Sequence, residues 1–572
     1  MDDLLDALAR LDARVETLER RVQALEGAKA PAPPLKKETA VAAESHAAGD
    51  ELTLPPAGGV FPVVGRAMLG IAGAYLLRAA AESGSFPRLA VVVIALAYAA
   101  MWMVWASRVR SSVAFSATAY AATSALILAP MLAELMLRFQ VLSASATAGL
   151  LSAFVLGTFA LSWRRKLTAT VAVAVAAAVV TALGLLVVSH DLPAYISALL
   201  VAVAASEFAA GAGRWSGLRF LAAPAADVAV LILVYIHSLP ETSRPGYAPV
   251  SQSALLALPT LLFVIAGTGI VWRTVVHRYR INLFEIAQAA VAFALTAAAW
   301  LWFVPAKGGL VVGVCCWLFA FMCYALAFGS FDRVAEQRNY HVYATWAAAL
   351  MLAGSFLLLP PLSVTLLLSV AAIVATVIGV RVARLTPEFH GLLYLTAAAY
   401  SSGLLQYAGR ALVGSFPAAP GWIVWMVAVA ALACFAIGGR FEGERWNERL
   451  LRLLAAVLAV SAVATFLVSC LVWLAAIGMR PEAAHVAVIR TLITCGLAML
   501  VAASGSRWKR AELVWTAYGM LAAVSAKLLL EDLPHGHSGA IAVSIFLYAV
   551  TLILVPRMAR SGRGNTEIPG RS

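Results

Sequence analysis

Hydrophobic positions follow two patterns along this chain. Near the start, Leu4, Leu8, Leu11, Val15, Leu18, Val22 and Leu25 recur at alternating spacings of four and three, which is the 3.5-residue period of a coiled coil. With Leu4 at position d, a parallel homodimer would set Arg14 against Glu19 and Arg21 against Glu26 of the second copy, so residues 1–27 are predicted to form a self-associating helix. A solitary amphipathic helix lying on lipid fits the same spacing. Three heptads are marginal alone in water, so pairing would need support from the rest of the chain.

Beyond residue 60 the pattern changes to apolar runs long enough to cross a bilayer. Bounded by charge, Gly or Pro, they fall near 61–81, 89–107, 113–137, 142–163, 167–189, 194–213, 218–238, 252–272, 284–304, 309–329, 341–359, 361–381, 391–412, 421–438, 453–476, 485–505, 511–531 and 538–556. This predicts an all-α polytopic bundle of about eighteen transmembrane helices over residues 60–556, soft chiefly at the Pro360-Pro361 turn. Residues 28–59, with Pro at five positions and no apolar period, read as a linker. Residues 557–572 read as a basic tail.

Basic residues test this count, because Lys and Arg accumulate on the cytoplasmic side of a membrane. Alternate connections and the tail hold 25 of them, from Arg108 and Arg110 through Arg164, Arg165 and Lys166 to Arg571, whereas the intervening connections hold six. One missed or invented helix would scramble that alternation downstream. Both termini are therefore expected in the cytoplasm of a bacterial cell, with the bundle in its inner membrane. Tryptophans near helix ends (Trp102, Trp105, Trp163, Trp215, Trp272, Trp422, Trp425 and Trp508) fit interfacial anchoring.

Composition agrees: 62% of the 572 residues are hydrophobic and 12% charged, against about 45–50% and about 25% in soluble domains. A soluble globular enzyme is excluded. The net charge of +13 is accounted for by topology rather than by nucleic acid. The chain begins MDDLLDALARLDARVE and so lacks the basic start and apolar core of a signal peptide. All six cysteines (Cys315, Cys316, Cys323, Cys434, Cys470 and Cys495) lie in apolar runs without a zinc-type spacing, and no cofactor is called for.

An ionisable side chain in a membrane helix needs a partner, water or a route to the headgroups. Arg78 with Glu82, Glu134 with Arg138, and Lys527 with Glu531 and neighbouring Asp532 form candidate pairs four residues apart, near predicted outer helix ends. Arg490 lies in the outer half of its span, and His237 and Arg410 are also near outer ends. Three roles fit these charges: self-neutralised pairs or snorkelling side chains that fix helix depth, an outward polar cavity for an anionic or zwitterionic solute, or bridges between helices with no ligand. Asp227 stands near mid-span with no basic residue within one turn, which fits either a proton or cation relay or a neutral acid bonded to another helix. Glu207 and Glu285 read as interfacial, and Arg66 as snorkelling inward. Glu531, Asp532, His535 and His537 gather possible metal donors but lack the spacing of a defined site, so none is assigned.

The stretch VGRAMLGIAGAYLLRAAAESG (Val64–Gly84), SAKLLLEDLP (Ser525–Pro534) and the layout of coil, linker and many helices resemble the predicted bacterial membrane proteins called "domain of unknown function 2339". The specific match covers about thirty residues, with Gly65, Gly73, Arg78, Glu82, Lys527 and Asp532 as shared positions. Gly539-Ala540 stands where the family often has Arg. The resemblance implies an inner-membrane protein and carries no activity. The sequence thus points to a structural or envelope-associated membrane protein whose partners are the bilayer and a second copy of the chain. The alternative is a transporter, which should show broken helices and a wet midplane path; Pro130, Pro224 and Pro259 are the candidate breaks. A membrane glycosyl-transfer enzyme comes third, because the first outer loop offers Glu82 alone as an acid.

Overall fold

A computed structural model describes residues 57–82, 87–109, 114–165, 167–244, 246–331, 338–382, 384–412, 422–438, 446–478, 483–533 and 538–561. The coiled-coil seam from Leu4 to Leu25 lies outside them, as do His535, His537 and most of the linker. Among the described residues there are nineteen α-helices and no strand. They are α1 (Ala57–Glu82), α2 (Arg88–Arg108), α3 (Ala114–Leu137), α4 (Ala144–Trp163), α5 (Thr168–Ser189), α6 (Leu192–Gly211), α7 (Arg219–Ser238), α8 (Gln252–Val271), α9 (Leu283–Phe303) and α10 (Gly308–Leu326). The series continues with α11 (Arg338–Leu358), α12 (Pro361–Val382), α13 (Leu385–Ser401), α14 (Leu404–Leu412), α15 (Trp422–Gly438), α16 (Trp446–Gly478), α17 (Ala483–Arg507), α18 (Ala511–Lys527) and α19 (Ser538–Ser561).

Fourteen of the described helical segments are long and apolar enough to cross a membrane, which is consistent with a multi-pass membrane protein. Each run read from the sequence is occupied by helix. The run 391–412 holds two, because the chain turns at Ser402-Gly403, where Gly403 has φ +76°, a conformation that costs glycine little. At the Pro360-Pro361 turn, α11 stops at Leu358 and Pro361 opens α12, where its missing N–H leaves no bond unmade. Pro130, Pro224 and Pro259 do not break their helices; α3, α7 and α8 run through them.

Large apolar side chains cover much of the outer surface. Phe321 is 77% exposed, Leu69 and Leu76 72%, and Val180 71%, a surface that a soluble monomer does not present. The interior is built from small residues instead. Ala198, Ala202, Ala205 and Ala209 of α6 and Ala222, Ala226 and Ala229 of α7 are buried, so the helix backbones approach closely, as they do where lipid removes the hydrophobic drive between helices. Helix α6 is the most enclosed of the fourteen segments and α19 the least. Several hydroxyls buried in these helices return to their own backbone one turn back, as in Thr123 to Ala119, Thr158 to Phe154 and Ser206 to Ala202, which satisfies those donors within an apolar layer.

Two antiparallel hairpins, α10–α11 and α12–α13, close on glycine. A methyl group at Gly354 would lie 2.9 Å from the Gly313 carbonyl oxygen, and one at Gly391 would lie 2.9 Å from that of Ala372 and 2.6 Å from Thr376 Oγ1. Gly391→Leu should therefore push α12 and α13 apart and destabilise the fold by about 1–3 kcal/mol. Thermal unfolding in detergent checks this; an unchanged midpoint would show that the contact is slack.

The tryptophan expectation needs correction at two positions. Trp102 and Trp215 are buried, at 4% and 8% exposure, whereas Trp105, Trp422 and Trp508 are exposed at helix ends. Trp215 packs edge-on to Phe159 and Trp163, and Trp163 carries the Arg214 guanidinium 4.7 Å from its ring centre, so the pair staples two helix ends rather than floating at a lipid boundary.

Candidate functional site

Four helix ends meet around the largest buried charge cluster among the described residues. Glu207 comes from the end of α6, Arg219 from the start of α7, Arg273 from the turn after α8, and Glu285 from the start of α9. Each is 4–6% exposed. Arg273 donates through Nη1 to Glu207 Oε2, and to Glu285 Oε1 through Nη2 at 3.0 Å and Nε at 3.1 Å. Arg219 Nη1 donates to the same Glu285 oxygen. Two cations and two anions cancel.

The local backbone explains why these groups converge. Trp272–Val276 forms a π turn at the end of α8, which re-aims Arg273 relative to a straight α-helix. Glu285 is the third residue of α9, where its Oε2 accepts the Asn282 N–H at 3.0 Å while Asn282 Oδ1 accepts the Glu285 N–H at 2.9 Å. This capping box fixes the carboxylate at the positive end of the helix. Glycine makes the room: a Cβ at Gly269 would lie 2.5 Å from Glu207 Oε2. The following segment is pinned by Asn339 of α11, which accepts from Ile281 N at 2.9 Å and donates to Tyr279 O at 2.8 Å, while the Thr274 and Tyr343 hydroxyls meet at 2.8 Å.

Asp227 lies two turns along α7 from Arg219. Its partner is an amide, since Gln288 Nε2 on α9 donates to Asp227 Oδ1 at 2.9 Å. The reading that it bonds a neighbouring helix holds in the structure. Glu207 and Glu285 stand at helix ends as expected, and there both are enclosed by protein and neutralised by arginines 66 and 12 residues away. No pattern within a single helix could reveal such partners.

A second cluster gathers candidates at the ends of α17 and α18. Lys527 Nζ donates to Asp532 Oδ2 at 3.0 Å, Thr491 Oγ1 at 2.8 Å and the Ala487 carbonyl at 2.7 Å. Lys527 and Asp532 are 2% and 3% exposed. Leu528–Asp532 is a π turn, which makes residue i+5, rather than i+4, the near neighbour of Lys527. Arg490 is 2% exposed and donates to the Arg410 carbonyl at 3.1 Å. At the opposite end of α18, Glu512 pairs with Arg452 of α16 at 3.1 Å.

The remaining candidates do not join either cluster on the described contacts. Glu134 is half-buried and Arg138 exposed, with its guanidinium 5.8 Å from the Phe139 ring centre. The side chains of Arg78, Glu82 and Glu531 lie outside the described set. His237 is buried and bonds the Leu233 carbonyl through Nδ1 at 3.0 Å. Sequence reasoning also passed over the hydroxyl and imidazole group of Tyr324, His390 and Tyr394, joined at 3.1 and 2.6 Å. Among the described residues no group of three His, Cys, Asp or Glu is placed to hold a metal ion. No protein-family model matches the chain, and no curated protein and no solved structure is significantly similar to it.

Proposed function

We propose that this chain is a multi-pass integral membrane protein with eighteen spans and both termini in the cytoplasm, whose intramembrane charges serve architecture. The carrying observation is the Glu207–Arg273–Glu285–Arg219 network, in which every carboxylate is matched by a guanidinium and each ion comes from a different helix. A solute site needs charge left over for its ligand, whereas a scaffold needs its charges spent on one another. Lys527, held by a carboxylate, a hydroxyl and a carbonyl, follows the same rule. Unbroken helices through Pro130, Pro224 and Pro259 also favour a scaffold over a transporter with discontinuous spans. The resemblance to the "domain of unknown function 2339" proteins and the coil-mediated dimer belong to this proposal.

The charge alternation supports the sidedness, because the four ends that meet in the network all flank connections of the basic set. In a variant stripped of native cysteines, a cysteine replacing Tyr279, which is 42% exposed, should react with an impermeant thiol reagent from the cytoplasmic face. A cysteine replacing Asp227 should stay protected from both faces. Labelling of position 227 by water-borne reagent would favour the transporter, and labelling of position 279 from outside would reverse the topology.

A further inference from the structure

A cavity of about 620 Å³ opens between the starts of α1 and α3 and the end of α2. It lies away from both charge clusters. Two guanidinium groups lead its polar lining. Arg66 and Arg108 contribute them, and Arg66 Nη1 donates to Tyr120 Oη at 3.1 Å, which leaves the phenol proton available to another acceptor. Trp102 is 4% exposed, and its Nε1–H has no acceptor among the described residues. Its ring packs tightly against Gly70, where a methyl group would lie 2.8 Å from Cε2. Among the described residues no carboxylate lines the space.

Two arginines with no acid beside them among the described residues attract an anion. The rest of the wall is greasy: Leu69, Met101 and Trp105 line it and are 72%, 37% and 48% exposed, so the cavity merges with the apolar outer surface. Another cation stands at the rim, where Arg165 Nη1 donates to the carbonyl of Val109, itself a lining residue. A small soluble anion would use the donors and leave the apolar wall bare. An anionic amphiphile satisfies both.

We infer that this cavity binds an anionic phospholipid, with the phosphate between Arg66, Arg108 and Tyr120 and the acyl chains along Leu69 and Met101. The inference rests on the chain being embedded in a membrane, and it places the headgroup at the side that the basic-residue pattern assigns to the cytoplasm. Anionic lipid is attracted to such basic sites, and aromatic side chains sit well at headgroup depth.

The test uses the full-length protein in phosphatidylcholine nanodiscs doped with photoactivatable phosphatidylglycerol or, as the control, photoactivatable phosphatidylcholine. Phosphatidylglycerol should label the peptide around Met101 preferentially. The R66Q/R108Q variant should cut that preference about tenfold, and R66K/R108K should keep most of it. Thermal unfolding of each variant separates lost binding from lost fold. Equal labelling by the two lipids, or a preference untouched by R66Q/R108Q in folded protein, would overturn the site. Displacement of the label by millimolar inorganic phosphate would overturn the lipid assignment in favour of a soluble anion. Failure of the membrane reading would show differently, as protein recovered without detergent.

Discussion

Arg273→Met should destabilise the folded protein by about 3–5 kcal/mol, the cost of removing one partner from a buried ion pair. Arg273 is the only residue that touches both carboxylates of the network in the described contacts. Without it Glu207 loses its guanidinium partner at 6% exposure beside Gly269, and Glu285 retains Arg219 alone. Adding Glu207→Gln should recover a large part of the loss, because the remaining Arg219 and Glu285 then balance each other. The measurement is unfolding in mild detergent or bicelles for the single and double variants. A single variant as stable as the parent would show that water or lipid phosphate reaches Glu207, contrary to the architectural reading. A double variant no better than the single would mean that Arg273 acts through packing rather than charge.

Lys527→Met is expected to have a loss of similar size, again about 3–5 kcal/mol, since it strands Asp532 at 3% exposure and leaves Thr491 and the Ala487 carbonyl without their shared donor. Here the companion variant is Lys527→Met with Asp532→Leu. Replacing both members of a buried ion pair by apolar side chains is often neutral or better, so the double variant should be markedly more stable than the single. That sign distinguishes an architectural role from a functional one. If Lys527 and Asp532 serve only to join α17 to the end of α18, stability returns and whatever the protein does in the cell returns with it. Recovered stability with a persistent cellular defect would instead assign the pair a function of its own.

The helices were legible because lipid-facing and protein-facing positions are both apolar, so each span announces itself as a run whose length is fixed by bilayer thickness. Boundaries followed from charge and proline. The break between α13 and α14 was not legible, because Ser402-Gly403 sits inside an apolar stretch and only the φ of Gly403 reveals the turn. The charged candidates fared differently. Pairs within one helix can be read from spacing, and the link between Lys527 and the Glu531-Asp532 dipeptide was visible in that way. Glu207 with Arg273, Arg219 with Glu285, and Asp227 with Gln288 are joined between helices, at separations of 61 to 66 residues. Which helices are neighbours is set by small-residue surfaces such as those of α6 and α7, and one sequence does not state which surface meets which. The cavity beside Trp102 was hidden for the same reason. Its indole looked like an interfacial anchor, and only the packing of α1 over α2 through Gly70 encloses it.

Three helices, α8, α10 and α18, finish in five-residue π turns, at Trp272–Val276, Ala327–Phe331 and Leu528–Asp532. Such a turn contains roughly one residue more than an α turn, so it holds rotational slack. Deleting a residue from the middle of a regular span would swing everything beyond it by about 100°, since one turn takes 3.6 residues, and would present buried alanines to lipid. A deletion inside a π turn can be absorbed by tightening that turn, leaving the rest of the span in phase. These three points are therefore where the chain can change length without losing its winding, and two of them carry the ions, Arg273 and Asp532, whose aim would shift when it did.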